Sequence, residues 1–257
     1  MKRNLLVSLM ALLLIGLLAA CGGGSDEGGE GDDGKKVLKV GTSADFPPFE
    51  SFDEDGDIVG FDADLAALIS EELGYELKME DMSFDGLIGA LQADRVDMVM
   101  SGMSATEERR ENVDFSVDYN ESSEMFITQK DSDISTLEDL DGKTVGVQLG
   151  TIQQEGAEKL KDEYNFEIKP IDDAPILIEE IKTNRIDVAY MDKDVATGFI
   201  KEQDLGGFDD PTTSSPGMAI AFPKGSDLID EINEAIEKLQ EEGKIEELQE
   251  KWLDKED

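Results

Sequence analysis

The sequence predicts an α/β protein of two similar lobes, with helices covering mostly parallel sheets. Two observations carry that prediction. From Val37 onward, strand-like and helix-like apolar periods alternate to near the end of the chain. The hexapeptide RVDMVM at 95–100 also returns as RIDVAY at 185–190, each time behind an amphipathic helix and ahead of polar residues. Ligands in open α/β sheets sit outside the carboxyl ends of the strands. Two such strand tips facing each other would make a cleft.

The first 36 residues stand outside this pattern. Lys2 and Arg3 precede an apolar run from Leu5 to Leu18. That is shorter than the roughly 20 residues a bilayer-spanning helix needs, so residues 1–20 read as a secretory signal. Leu18-Ala19-Ala20-Cys21 resembles a bacterial lipobox, and Cys21 is the chain's only cysteine. Lipid on Cys21 would tether the protein to the outer face of the cell membrane. The segment after Cys21, GGGSDEGGEGDDGKK, has no apolar residue to bury. Residues 21–36 therefore read as a disordered, self-repelling spacer.

Elements then follow in order. Val37–Val40 is a short strand. Leu65, Leu68, Ile69 and Leu73 mark a helix stopped by Gly74. Tyr75, Leu77 and Met79 alternate with charged residues as a strand does. Leu87, Ile88 and Leu91 mark a second helix, and Val96–Met100 a buried strand. The second half repeats the rhythm: strand 143–149, helix 151–164, strand 166–171, a helix capped by Asp173, and strand 186–191.

The formal net charge is −39. Without a basic patch there is nothing to displace counterions from a nucleic acid, which excludes that class of partner. Most of the acids fall on polar helix faces. The excess suits a salty medium, where screening is short-ranged.

Chemistry concentrates at the two strand tips. After Met100 come Ser101, Gly102, Ser104 and Thr106, then Arg109 and Arg110 in what reads as the first turn of a helix. Cations are disfavoured at that end, so a bound anion is one explanation. The hydroxyls, the free N–H groups and the Arg109 fork would together hold a carboxylate. The plainer alternative pairs the arginines with Glu107, Glu108 or Glu111. At the second tip, Asp192 either caps the next helix or holds an ammonium. A carboxylate clamp facing an ammonium clamp describes a free α-amino acid.

Several long segments carry a resemblance to a known family: VGTSADFPPFE (40–50), VGFDADLAALISEELG (59–74), FDGLIGALQADRVDMVMSGMSATEERRENVDFS (84–116), LEDLDGKTVGVQLGTIQQ (137–154), RIDVAYMD (185–192) and the stretch 217–252. The chain resembles the solute-binding proteins of polar amino-acid ABC importers, family 3 type. The resemblance implies a two-lobed periplasmic-binding-protein-like fold (type II), with lobe 1 at 37–120 plus 215–257 and lobe 2 at 121–214. Two crossovers, near 119–122 and 213–217, would join the lobes. It implies that Arg109 binds the ligand carboxylate with Ser104 and the backbone near Ser101 and Gly102, and that Asp192 binds the α-ammonium. Phe46 and Phe84 would wall the side-chain pocket and Thr151 would close over the carboxylate, with Gln148 and Gln153 near the site. Ser43 stands where relatives that take cationic side chains carry an aspartate, and Ile152 where many have a small polar residue. Two flat aromatic walls suit a guanidinium or an amide, so arginine is the expected ligand and glutamine the runner-up. The implied partners are the importer's membrane subunits; the chain is expected to be a monomer with no cofactor and no metal.

Two other readings stand beside this one. Dehydratases of aromatic biosynthesis share the fold, but the sequence has no histidine and no second cysteine for a common nucleophile–base pair. A binding protein could also present its ligand to a separate chemosensory receptor.

Overall fold

The computed structural model describes residues 35–253 apart from 122 and 214. The expected signal, Cys21, and the spacer up to residue 34 lie outside the described residues. The chain opens with β1 (Val37–Thr42), a small ribbon of β2 (Asp45–Phe46), β3 (Glu50–Phe52) and β4 (Ile58–Val59), then helix α1 (Phe61–Leu73) and β5 (Glu76–Asp81). A 3₁₀ turn at Phe84–Gly86 runs into α2 (Leu87–Gln92), followed by β6 (Met98–Val99), the one-turn α3 (Glu107–Arg110) and β7 (Val113–Asn120). Next come β8 (Glu124–Thr128), β9 (Thr144–Gln148), α4 (Ile152–Tyr164), β10 (Glu167–Ile171), α5 (Ala174–Lys182), β11 (Val188–Asp192), α6 (Lys193–Gln203) and β12 (Gly206–Asp209). The described chain ends with β13 (Met218–Pro223), α7 (Leu228–Glu241) and α8 (Lys244–Trp252).

Two five-stranded sheets result, ordered β5-β1-β6-β13-β7 and β10-β9-β11-β8-β12. They follow one plan. The first three strands of each run parallel. The fourth, β13 or β8, runs against both its neighbours. The alternation of the sequence predicts only the parallel part. The reversal has a simple cause: β8 and β13 are the first strands after the chain passes from one sheet to the other. Each enters its new sheet on the side where the parallel strands have their carboxyl ends and runs back, so Glu124 at the start of β8 pairs with Asp192 at the end of β11.

The repeated Arg-x-Asp before each central strand also has a physical account. Asp97 donates its N–H to the Lys39 carbonyl and takes the Lys39 N–H on Oδ2, at 2.9 and 2.8 Å. Asp187 does the same to Thr144, at 2.9 and 2.8 Å. Each aspartate extends the ladder one step before the central strand begins, and so sets where its tip ends.

Helices behave as their apolar spacing predicts. The buried side of α1 carries Phe61, Leu65 and Ile69, and Gly74 ends it in the left-handed conformation. The buried side of α7 carries Ile232, Ala235, Ile236 and Leu239. Tyr190 is core, its ring stacked 4.2 Å from that of Phe126. Trp252 is half-buried against the core and donates to Asp64 at 2.7 Å.

Two local expectations need correction. Asp173 sits at the N-cap of α5, but its side chain makes no cap bond. The Ala174 N–H goes instead to Asp45 Oδ2, at 2.9 Å. And α3 is a single turn, with Glu107 and Glu108 in its first positions and both arginines in its last. The charges therefore agree with the helix dipole, and no anion is needed to reconcile them.

Candidate functional site

The carboxyl ends of β6 and β11 border one cavity of about 330 Å³, counting space open to solvent. On the first-sheet side it is lined by Phe46, Phe84, Gly102, Ser104 and Arg109. On the second-sheet side it is lined by Gln148, Thr151, Ile152, Gln153 and Asp192. Nine of these are residues expected at the site. Ile152 completes the wall. Ser101 and Ser43 sit behind it.

Arg109 is buried, 7% exposed. Thr106 caps its turn, accepting the Arg109 N–H at 3.1 Å. Nη1 donates to the Ser104 carbonyl at 2.9 Å, and Nη2 reaches the Gly150 carbonyl at 3.0 Å, at the end of β9 on the other sheet. The guanidinium carbon lies 5.4 Å from the centre of the Phe84 ring. Glu107 and Glu108, expected to hold Arg109, do not: among the described residues no carboxylate forms an ion pair with it. Burial lowers its pKa to about 10, opposed at longer range by Glu155 and Glu108. It stays a cation at neutral pH, with a strong unmet demand for an anion.

Asp192 is 3% exposed and caps α6, accepting the Asp194 N–H at 2.9 Å. The capping role and a place on the cavity wall thus coincide. Thr151 caps α4 and donates its hydroxyl to the Gln148 carbonyl at 2.7 Å. Gly102 has φ +52, and a Cβ there would stand 3.0 Å from the Phe46 ring. Glycine therefore lets the turn after β6 lie against the aromatic wall. At Gly150, φ is +79 and a Cβ would meet Asp85 Cα at 3.1 Å, where the two sides come together.

A buried carboxyl pair underlies the first tip. Glu50 Oε1 accepts the Ser101 hydroxyl at 2.7 Å, and Ser101 Oγ in turn accepts the Ser43 N–H at 3.0 Å. Asp62 Oδ2 takes the Gly102 N–H at 2.8 Å and the Tyr119 hydroxyl at 2.9 Å. Both acids are fully buried, and the two carboxyls hydrogen-bond to each other, which requires a proton on one of them; among the described residues Glu50 Oε2 and Asp62 Oδ1 receive no donor from elsewhere. Burial pushes Asp62 up to about 6. Burial, and then the charge of Asp62, push Glu50 well above the usual carboxylate range. Glu50 is thus the member of the pair that favours its protonated form, and Asp62 holds the turn through Gly102. The expected outward role for the Ser101 hydroxyl gives way to this inward one. The Ser43 hydroxyl likewise turns to Asp45 Oδ1, at 3.0 Å.

Two further acids stand beside the cavity: Asp45, the acid nearest to Ser43 in the sequence, and Glu124, which a reading of the sequence misses. Asp45 Oδ2 accepts the Gln148 amide and the Ala174 N–H, both at 2.9 Å, bridging the ribbon to the second sheet. Glu124, 3% exposed, accepts the Gln153 amide. Burial raises its carboxyl to about 7, with the Gln153 amide and then the Ser215 hydroxyl opposing. An acid heading the apolar stretch Met125-Phe126-Ile127 was the one available signal.

With this geometry in place, comparison with known proteins is decisive at the family level. Residues 38–255 match the family described as bacterial extracellular solute-binding proteins, family 3. The chain belongs to that family. It is 44% identical to the arginine-binding extracellular protein ArtP of Bacillus subtilis (strain 168), over 98% of each chain. An ancestral arginine-binding protein, solved with arginine and separately with glutamine, matches at TM-score 0.80 and 39% identity, over 84% of this chain and 97% of that one. An ancestral amino-acid-binding protein described as a precursor of cyclohexadienyl dehydratase matches at TM-score 0.79 and 32% identity, over 84% of this chain and 95% of that one. Among the described residues no helix is long and apolar enough to cross a membrane.

Proposed function

We propose that the protein captures a free basic amino acid, arginine first, between two closing lobes and delivers it to the membrane subunits of an ABC importer. The observation that carries this reading is the pairing of charges at the two tips. Arg109 is a buried guanidinium that donates to two carbonyls and, among the described residues, forms no ion pair, and Asp192 lies on the opposite wall of one cavity. The α-carboxylate meets the first and the α-ammonium the second. Phe46 and Phe84 then offer flat faces to the ligand's side chain. Backbone groups at Gly102 and Ser104, with Thr151, Gln148 and Gln153, complete the contacts.

The lobes are 37–120 with 215–257, and 121–214. Each holds one of the sheets, and the crossovers near 119–122 and 213–217 act as the hinge. Lipid on Cys21 holds the folded body at the outer face of the membrane, and the protein works as a monomer. The arginine-binding relatives support the choice of ligand, and the glutamine-bound ancestral protein keeps glutamine as the second candidate. A binder rather than an enzyme is favoured by a cavity without histidine or cysteine. Its ligand should be recovered unchanged after prolonged incubation.

The test is a thermal-shift panel of the twenty amino acids on purified protein. The largest stabilisation should come from arginine. A large shift with glutamine and none with arginine or lysine would replace arginine with glutamine. A shift with glutamate alone would overturn the reading of the pocket.

A further inference from the structure

The two cavity glutamines carry information about the ligand's side chain. Gln148 Nε2 donates to Asp45 Oδ2 at 2.9 Å and to the Asp172 carbonyl at 3.2 Å. An amide nitrogen has two N–H groups, and both are taken. Gln153 Nε2 donates to Glu124 Oε2 and keeps one N–H. A carboxylate or a carbonyl only accepts, so turning either amide over would set oxygen against oxygen. The nitrogen is therefore fixed on the outer side in both. Gln148 and Gln153 are 5% and 6% exposed and line the cavity. Among the described residues neither Oε1 receives a hydrogen bond, and neither oxygen is sealed off from the open space.

We infer that Asp45 and Glu124 are positioning residues, holding Gln148 and Gln153 with their carbonyl oxygens toward the cavity, so that this wall accepts hydrogen bonds and selects a donor-only side chain. The inference rests on the amino-acid reading above and deepens it. A guanidinium has five N–H donors and no acceptor, and an ammonium three. An amide side chain brings fewer donors and an acceptor oxygen of its own, and a carboxylate would meet these oxygens with both of its own. The arrangement also explains how a cation is received although Ser43 replaces the expected aspartate. The acids stand one residue further out and act through the glutamines.

Arginine and citrulline decide the matter. They share the α-groups and the length, and differ in one guanidinium nitrogen replaced by a carbonyl oxygen. The experiment is calorimetric titration of both ligands into the parent, Asp45→Asn and Glu124→Gln at pH 8.5, where the Glu124 carboxyl is ionised. In Glu124→Gln the new amide can donate as well as accept, so Gln153 is free to turn; in Asp45→Asn the Asp172 carbonyl still holds the Gln148 nitrogen. The parent should prefer arginine strongly. Glu124→Gln should lower the arginine-to-citrulline affinity ratio by roughly tenfold, the scale of one hydrogen bond, and Asp45→Asn by less. A merely structural role would weaken both ligands alike. Unchanged ratios in two variants that melt cooperatively would overturn the inference while leaving the arginine reading standing. A parent that binds no amino acid would overturn both.

Discussion

The central strands β6 and β11 are built alike and finish differently. Each is preceded by an Arg-x-Asp whose aspartate clamps the neighbouring strand, and each ends at the border of the cavity. Beyond the last strand residue they part. The β6 tip turns through Gly102 and carries Arg109 on a one-turn helix. The β11 tip ends in Asp192, which caps the 11-residue helix α6. The scaffold is thus repeated while the charge is inverted. A doubled scaffold whose two tips carry opposite charges can hold the two ends of a zwitterion.

The largest effect should come from breaking the charge asymmetry. Arg109→Lys keeps the cation but loses the planar fork, and should weaken arginine binding by about 1.5–3 kcal/mol. Asp192→Asn removes the anion and should cost a similar amount. Calorimetry of both variants would show whether the two tips contribute comparably. Parent-like binding by both would contradict the site assignment.

A second effect, on the order of 2 kcal/mol, lies in the buried acids. Asp62 titrates at about 6 and Glu124 at about 7, both raised mainly by burial. A carboxyl raised in the folded state binds its proton more tightly there than in the unfolded chain. In the window between the unfolded value and the folded one, the folded state therefore holds more protons, and stability falls as pH rises. Urea unfolding should show stability declining from pH 4.5 to 7.5. Asp62→Asn should flatten the part below about pH 6, and Glu124→Gln the part near 7. A profile that rises over this range would contradict the burial argument. The slope then separates the two sides, since Asp62 belongs beneath the first tip and Glu124 beside the second.

How much of this was readable in advance depends on how local each signal is. The strand tips were legible, because an apolar run ending in small polar residues is a local pattern. Arg109 and Asp192 followed from it. The direction of β8 and β13 was not legible, since it depends on which edge the chain reaches after crossing between sheets. The length of α3 is obscured by five consecutive charged residues, 107–111, which carry no apolar period. The acids Glu50, Asp62 and Glu124 are hidden among 62 aspartates and glutamates, and the tie from Asp45 to a glutamine is equally non-local. Only tertiary partners distinguish them from a solvated surface: the Ser101 hydroxyl, the Gly102 N–H, and two glutamine amides. For the same reason Ser101 and Ser43 were expected to face the ligand, although their hydroxyls point to carboxyls behind the wall.

A smaller effect tests the repeated part of the scaffold. Asp97→Ala and Asp187→Ala should each cost about 1 kcal/mol, from one side-chain-to-backbone hydrogen bond. The loss at Asp97 should be the larger, because its bond is partly buried and that of Asp187 is exposed. Denaturant midpoints would measure both. A loss at one position and none at the other would mean that the resemblance of the two halves stops at sequence.

The central claim is that Arg109 reads a carboxylate and Asp192 an ammonium on the same molecule. Titration with two truncated ligands addresses it most directly. Agmatine is arginine without the carboxylate, and 5-guanidinopentanoate is arginine without the α-ammonium. The parent should bind both far more weakly than arginine. Arg109→Lys should weaken 5-guanidinopentanoate but leave agmatine nearly unchanged, and Asp192→Asn should do the reverse. Equal losses for both truncated ligands in both variants, or agmatine binding to the parent as tightly as arginine, would contradict the account.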